Sequence, residues 1–217
     1  MADTPRLLEF DDVTVRSISV SQMDNNVYLI TDKATGSQVL IDAADDAAAI
    51  TRLLAQGAGD TDAPARLELI FTTHRHWDHV RALAEVRQST GAPTACGVQD
   101  AEAIDVPMDF TVGHDEGLDL GGVHLRTVHL RGHTPGSIAL VLTPRNGPVQ
   151  LFTGDSLFPG GVGKTAGPEE FTSLIGDVQE RLFERYGDDA VVHPGHGKPT
   201  TLGAERASLP QWRERGW

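Results

Sequence analysis

Residues 67–80 read LELIFTTHRHWDHV, an apolar run that breaks abruptly into a polar cluster. The run 67–72 is rich in β-branched and aliphatic residues and reads as a buried strand. Directly after it, His74, His76, Asp78 and His79 fall within six positions, four side chains able to coordinate metal at the start of a predicted helix over 78–90. A polar loop of ordinarily hydrogen-bonded histidines is the plain alternative, and the density of donors argues against it.

Similar apolar runs lie on both sides, at 13–20, 26–31, 37–42, 123–130, 137–142, 149–152 and 190–192, and read as further strands. Helices are expected over 45–56, with Ile50, Leu53 and Leu54 on one face and Gly57 as the stop, and from Pro168 to about Tyr186. From about residue 116 the order of strands followed by a helix repeats, which suggests two sheets covered by helices. Three of the strands lead into further candidate ligands: His133 in RGHTPGS, Asp155 in FTGDSLF and His196 in HPGHG. Ligands of α/β folds gather beyond the carboxyl ends of strands, so these residues can meet the 74–79 cluster at one mouth. Asp42 closes a strand and is a candidate to orient the metal loop. His114, His124, His129 and His193 are assigned to structure or surface.

With 217 residues, 39% of them hydrophobic and 23 glycines besides, the chain is expected to fold as one domain over 1–217. Acidic residues outnumber basic ones 31 to 18, for a net charge of −13, which disfavours nucleic acid and anionic membrane as partners and leaves a small molecule. Nothing in the pattern specifies an interface, so monomer and homodimer are equally compatible. Cys96 is the only cysteine and no export signal or long apolar run stands out, so a cytoplasmic location is expected. The glycine-rich stretch 159–167, PGGVGKTAG, reads as a site loop; it is not a phosphate loop, because the glycine required ahead of Gly163 is Phe158.

THRHWDH, GHTPGS, GDSLF and PGHG, in this order, resemble the metallo-β-lactamase superfamily, and in particular its short glyoxalase II-like hydrolases. The resemblance implies an α/β fold, a four-layered αββα sandwich with two internal repeats. It also implies that His74, His76 and His133 hold one divalent metal, that Asp78, His79 and His196 hold a second, and that Asp155 bridges them. Nitrogen and carboxylate donors without thiolate suit zinc first, with iron or manganese able to use the same set. Two such metals sharing an acidified water make a hydrolase, with Asp78 placed to accept a hydrogen bond from the nucleophile. No dedicated acid accompanies the cluster, which favours a thiolate leaving group and hence acyl thioesters of a low-molecular-weight thiol. Lys164 lies where glyoxalase II-like enzymes hold the carrier's carboxylate. Ala166 replaces an aromatic residue of that family, Val80 and Arg81 replace small ones, and the extra helical domain of glyoxalase II proper is not expected here. The alternatives on this scaffold are a persulfide dioxygenase with one iron, a hydrolase of lactones or β-lactams, and a metal-stabilised binding module.

Overall fold

In the computed structural model, which describes residues 6–216, the apolar runs are strands. β1 (Arg6–Glu9), β2 (Val13–Val20), β3 (Asn25–Asp32), β4 (Ser37–Ile41), β5 (Arg66–Thr72), β6 (Thr94–Gly97) and β7 (Phe110–Val112) pair in chain order into a seven-stranded sheet. The β1 to β4 pairings are antiparallel and those from β4 to β7 parallel. Parallel neighbours need crossovers, and α1 (Ala47–Gly57) and α2 (Leu83–Thr90) supply the first two.

The second half contributes β8 (Gly117–Leu120), β9 (Val123–His129), β10 (Ile138–Leu142) and β11 (Gln150–Gly154), then a small hairpin of β12 (Leu157–Phe158) and β13 (Gly161–Val162). After α3 (Pro168–Val178) come β14 (Val191–Pro194) and β15 (Thr200–Thr201), completing a six-stranded sheet in the order β15-β14-β11-β10-β9-β8. The chain ends in α4 (Leu202–Arg206) and α5 (Leu209–Arg215).

Alternation along the strands dictates the layers. In β3, Tyr28 and Ile30 face the second sheet, while Val27 and Leu29 face the helices. In β10, Ile138, Leu140 and Leu142 meet that inner core, while Ala139 and Val141 turn outward. α1 and α2 pack on the outside of the first sheet through Ile50, Leu53, Leu83 and Val86. On the second sheet, α3 and α5 bring Phe171, Leu174, Ile175, Val178 and Trp212, each such side chain worth roughly 1.5–3 kcal/mol of burial. The result is the αββα sandwich that the motifs imply. No helix among the described residues is long and apolar enough to cross a membrane.

Local departures have local causes. The helix expected over 78–90 starts only at Leu83, because Trp77–His79 form a tight 3₁₀ turn and Val80 is non-helical. Asp78 and His79 are adjacent yet serve one site, and neighbouring residues of an α-helix face apart. The helix from Pro168 is α-helical to Val178 and continues as a π-turn over Gln179–Phe183. Gly57 does not stop α1 with a left-handed bend. It is helical, at φ −62°, and lies so close to Leu29 that a side chain there would collide. α1 starts at Ala47, where the Asp46 side chain accepts from Ala49 N.

Candidate metal centre

Each candidate ligand leaves the carboxyl end of a strand. His74 follows β5, His133 lies in the loop after β9, Asp155 directly follows β11 and His196 follows β14. Two glycines make the close approach possible. Gly154 turns the chain at φ 49° and packs on Thr73, while a side chain at Gly195 would run into the Asp155 carboxylate and the His79 ring.

All seven residues named from the sequence meet at this mouth. The ligand atoms of His74, His76 and His133 lie within 4.8 Å of one another, as do those of Asp78, His79 and His196. Asp155 reaches both groups: Oδ1 is 3.5 Å from His79 Nε2, and Oδ2 is 3.6 Å from His133 Nε2 and 3.4 Å from His196 Nε2. Asp78 Oδ2 lies 3.3 Å from His196 Nε2. His74 and His79 are fully buried, and Asp78 is 6% exposed.

The rings are aimed by what holds their outer nitrogens. Thr73 has one hydroxyl proton, which goes to Asp42 Oδ2 at 2.8 Å, so its oxygen accepts from His74 Nδ1 at 3.0 Å. His79 Nδ1 donates to Asp42 Oδ2 at 2.8 Å, His133 Nδ1 to the Lys164 carbonyl at 2.7 Å and His196 Nδ1 to the Met23 carbonyl at 2.8 Å. In each neutral ring this leaves the Nε2 lone pair pointing inward, the second partner that fixes a metal-binding imidazole. His74 Nε2, His133 Nε2 and Asp155 Oδ1 are buried without a hydrogen-bond partner, and His79 Nε2 faces His196 Nε2 at 3.2 Å. Buried acceptors left unpaired cost about 1–3 kcal/mol each. Cations among these atoms relieve that cost, so the residues fit a metal centre.

The sequence profile of the metallo-beta-lactamase superfamily matches residues 21–196. The chain belongs to that superfamily. It is 28% identical over 218 residues to hydroxyacylglutathione hydrolase GloC of Haemophilus influenzae, which covers 91% of this chain and 97% of that relative. Among solved structures, ETHE1 from Myxococcus xanthus superposes with a TM-score of 0.75 at 28% identity, covering 92% of this chain and 84% of that one. TTHA1623, solved in a di-iron-bound form, gives a TM-score of 0.69 at 30% identity over 90% of this chain and 98% of that one. As a metallo-hydrolase of the metallo-beta-lactamase superfamily, the chain is a metal-dependent enzyme.

Electrostatics divide the seven. Burial, and then the charge of His79, push His74 well below the ordinary imidazole value, so it stays neutral. Burial lowers His79 too, but Asp42 and Asp155 outweigh it and carry this ring up to about 10. Burial works to raise Asp155, yet the neighbouring His196 and His79 rings hold it well below the carboxylate range. In the metal-free protein a proton on His79 therefore balances the buried carboxylates. Cys96 takes no part, since burial pushes its thiol up to about 12.

Three positioning groups were not legible in the sequence. Asp100, fully buried, accepts from Arg75 N at 3.0 Å, Thr134 Oγ1 at 2.5 Å and Gly136 N at 2.9 Å, tying the His74–His79 loop to the His133 loop. Asn25 Nδ2 donates to Asp78 Oδ2 at 3.0 Å. Asp177 accepts from Arg131 N at 3.0 Å and fixes the same His133 loop to α3. Alanine at Asp100 strands those three donors and is expected to cost about 3 kcal/mol, read by chemical denaturation; asparagine, which keeps one acceptor, should cost less.

Lys164 is exposed and lines a cavity of about 370 Å³ beside His133 and Asp155, together with Phe158 and Arg215. Its main chain, through the carbonyl on His133, has a second task that residue type alone cannot signal. Of the histidines left aside, His193 is buried against Phe152 and pairs with Gln150 Oε1, with burial taking it down to about 3. His129 is held by the Pro135 carbonyl, and His114 and His124 are exposed.

Proposed function

We propose that this enzyme hydrolyses acyl thioesters of a low-molecular-weight thiol, with two divalent metals at the seven-residue cluster. The observation that carries the reading is the pair of inward-facing donor trios spanned by Asp155, with Nε2 and Oδ1 atoms buried and otherwise unpartnered. His74, His76 and His133 would hold one ion, Asp78, His79 and His196 the other, and Asp155 both. Bound there, the ions supply an acidified water and polarise a carbonyl.

The chain's own residues set the rest. Asn25 holds the Asp78 carboxylate in place to accept a hydrogen bond from the nucleophile. Among the described residues no Glu, Tyr or Cys lines the cavity beside His133 as a proton donor, which suits a leaving group that departs as the anion. The cavity's lysine and arginine give a thiol carrier bearing a carboxylate a place to rest, with Lys164 as its contact. The relative's name, hydroxyacylglutathione hydrolase, supports this substrate class. ETHE1 fits a single-iron dioxygenase reading, but no better, and a single ion leaves one donor trio unused.

Elemental mass spectrometry of the purified protein tests the reading, with two equivalents of metal expected, zinc first. The loaded protein should then hydrolyse acyl thioesters. One equivalent of iron with oxygen uptake on a persulfide, or no turnover of any thioester, would overturn it. Metal uptake carries its own signature. Because His79 is raised to about 10, it is protonated at neutral pH, and a ligand must lose that proton to bind. Loading is therefore expected to release protons and to tighten as pH rises from 6 to 8, which titration calorimetry in two buffers of different ionisation enthalpy would read.

A further inference from the structure

A second groove lies away from the metal cluster, on the outer face of β9 where the π-turn after α3 crosses it. Its first part, about 280 Å³, is lined by Arg126, Arg181 and Arg185 with His114, Asp115 and Tyr186. A further 470 Å³ continues from it, sharing Arg126 and Tyr186 and adding outward-facing Val141.

Three guanidiniums in one concavity are unusual in a chain of net charge −13. Arg126 is paired with Asp115 at 2.6 Å. Arg181 donates to the His129 carbonyl at 2.6 Å and shares Asp177 with Arg131. The Arg185 guanidinium and the Tyr186 hydroxyl have no hydrogen-bond or ion-pair partner among the described residues. Of the three arginines that line the groove, Arg126 is matched by Asp115 and Arg181 by Asp177, which leaves the Arg185 guanidinium without a carboxylate in contact. The π-turn, closed by Glu184 N on the Gln179 carbonyl at 2.9 Å, puts Arg181 and Arg185 on the same groove. Such turns recur at functional sites.

We propose that this groove is a second binding site, for a small phosphomonoester whose dianion sits among Arg126, Arg181 and Arg185 and whose apolar body lies along Tyr186 and Val141. Three guanidiniums converge there, one without a carboxylate in contact, and guanidiniums match phosphate oxygens in pairs. The site does not depend on the thioesterase reading, and its ligand does not compete with substrate for the metal mouth.

Titration calorimetry of the metal-loaded protein with phenyl phosphate tests this, with benzoate and benzyl alcohol as comparisons. Phenyl phosphate should bind more tightly than benzoate, and benzyl alcohol should not bind. Arg185→Ala and Arg126→Ala change exposed side chains and are expected to keep the fold, checked by circular dichroism, while weakening phenyl phosphate about tenfold or more. Lys164→Ala should leave that binding unchanged. Four results would overturn the proposal: absence of binding, equal binding of benzoate or benzyl alcohol, no effect of either arginine variant, or loss in Lys164→Ala, which would put the anion at the metal mouth.

Discussion

Asp155→Ala is expected to lower thioester turnover by on the order of a thousandfold or more, the scale on which loss of one essential electrostatic group acts. The carboxylate stands where the two donor trios meet, with one oxygen 3.5 Å from His79 Nε2 and the other 3.4 Å from His196 Nε2. Without it, no residue spans both groups, and the bound metal should fall from two equivalents toward one or none. The fold should survive, because Asp155 lies beyond the strand end, outside the three apolar cores. The metal-free variant should thus melt within a few degrees of the metal-free parent. Asp155→Asn keeps the shape and removes the charge, so it should lose metal nearly as fully. A metal-loaded Asp155→Ala protein with near-normal turnover would refute the bridging role. So would a variant whose metal-free form no longer folds, since the site would then be structural.

What the sequence disclosed follows from how each signal is stored. The donors could be read because strand ends and ligands are contiguous in the chain: β5 runs straight into His74, and β11 into Asp155. The layers could be read because the order of strands followed by a helix repeats from about residue 116, whereas the face each buried side chain takes could not, since Val27, Tyr28, Leu29 and Ile30 are all apolar yet divide between two cores. β6 escaped notice because its residues, TACG over Thr94–Gly97, include no Val, Ile, Leu or aromatic side chain to mark a strand. Asp100 escaped for a different reason. Its partners Arg75, Thr134 and Gly136 are distant in sequence, and nothing about an aspartate beside Ala101 marks it as the tie between two metal loops. The ring orientations were beyond reach as well, because main-chain carbonyls of Met23 and Lys164 set two of them. Fold and ligands are written locally; the machinery that aims the ligands is written in long-range contacts.

Asp42 shows how far that aiming reaches. It is 2% exposed and accepts three hydrogen bonds: from Thr73 N at 2.7 Å, Thr73 Oγ1 at 2.8 Å and His79 Nδ1 at 2.8 Å. Its backbone is left-handed, at φ 58°, a conformation aspartate and asparagine tolerate better than alanine. Asp42→Ala therefore strands three buried donors and adds backbone strain, for a cost of about 3–5 kcal/mol and a fall in melting temperature of about 10 °C. Asp42→Asn separates orientation from stability. Its amide oxygen can still accept from Thr73 N and its backbone is unstrained, so much of the stability should return. Its NH₂ then faces His79 Nδ1, and two donors cannot share that contact. The ring must place its lone pair on Nδ1 and its proton on Nε2, the atom that faces Asp155 and His196. Metal affinity is thus expected to fall about 10–100-fold in Asp42→Asn as it does in Asp42→Ala, the range seen when such partners are removed. Competition with a metal-binding dye reads the affinity and a melting curve reads the stability. An asparagine variant that holds metal as tightly as the parent would show that Asp42 only supports the Thr73 turn and does not set the His79 tautomer.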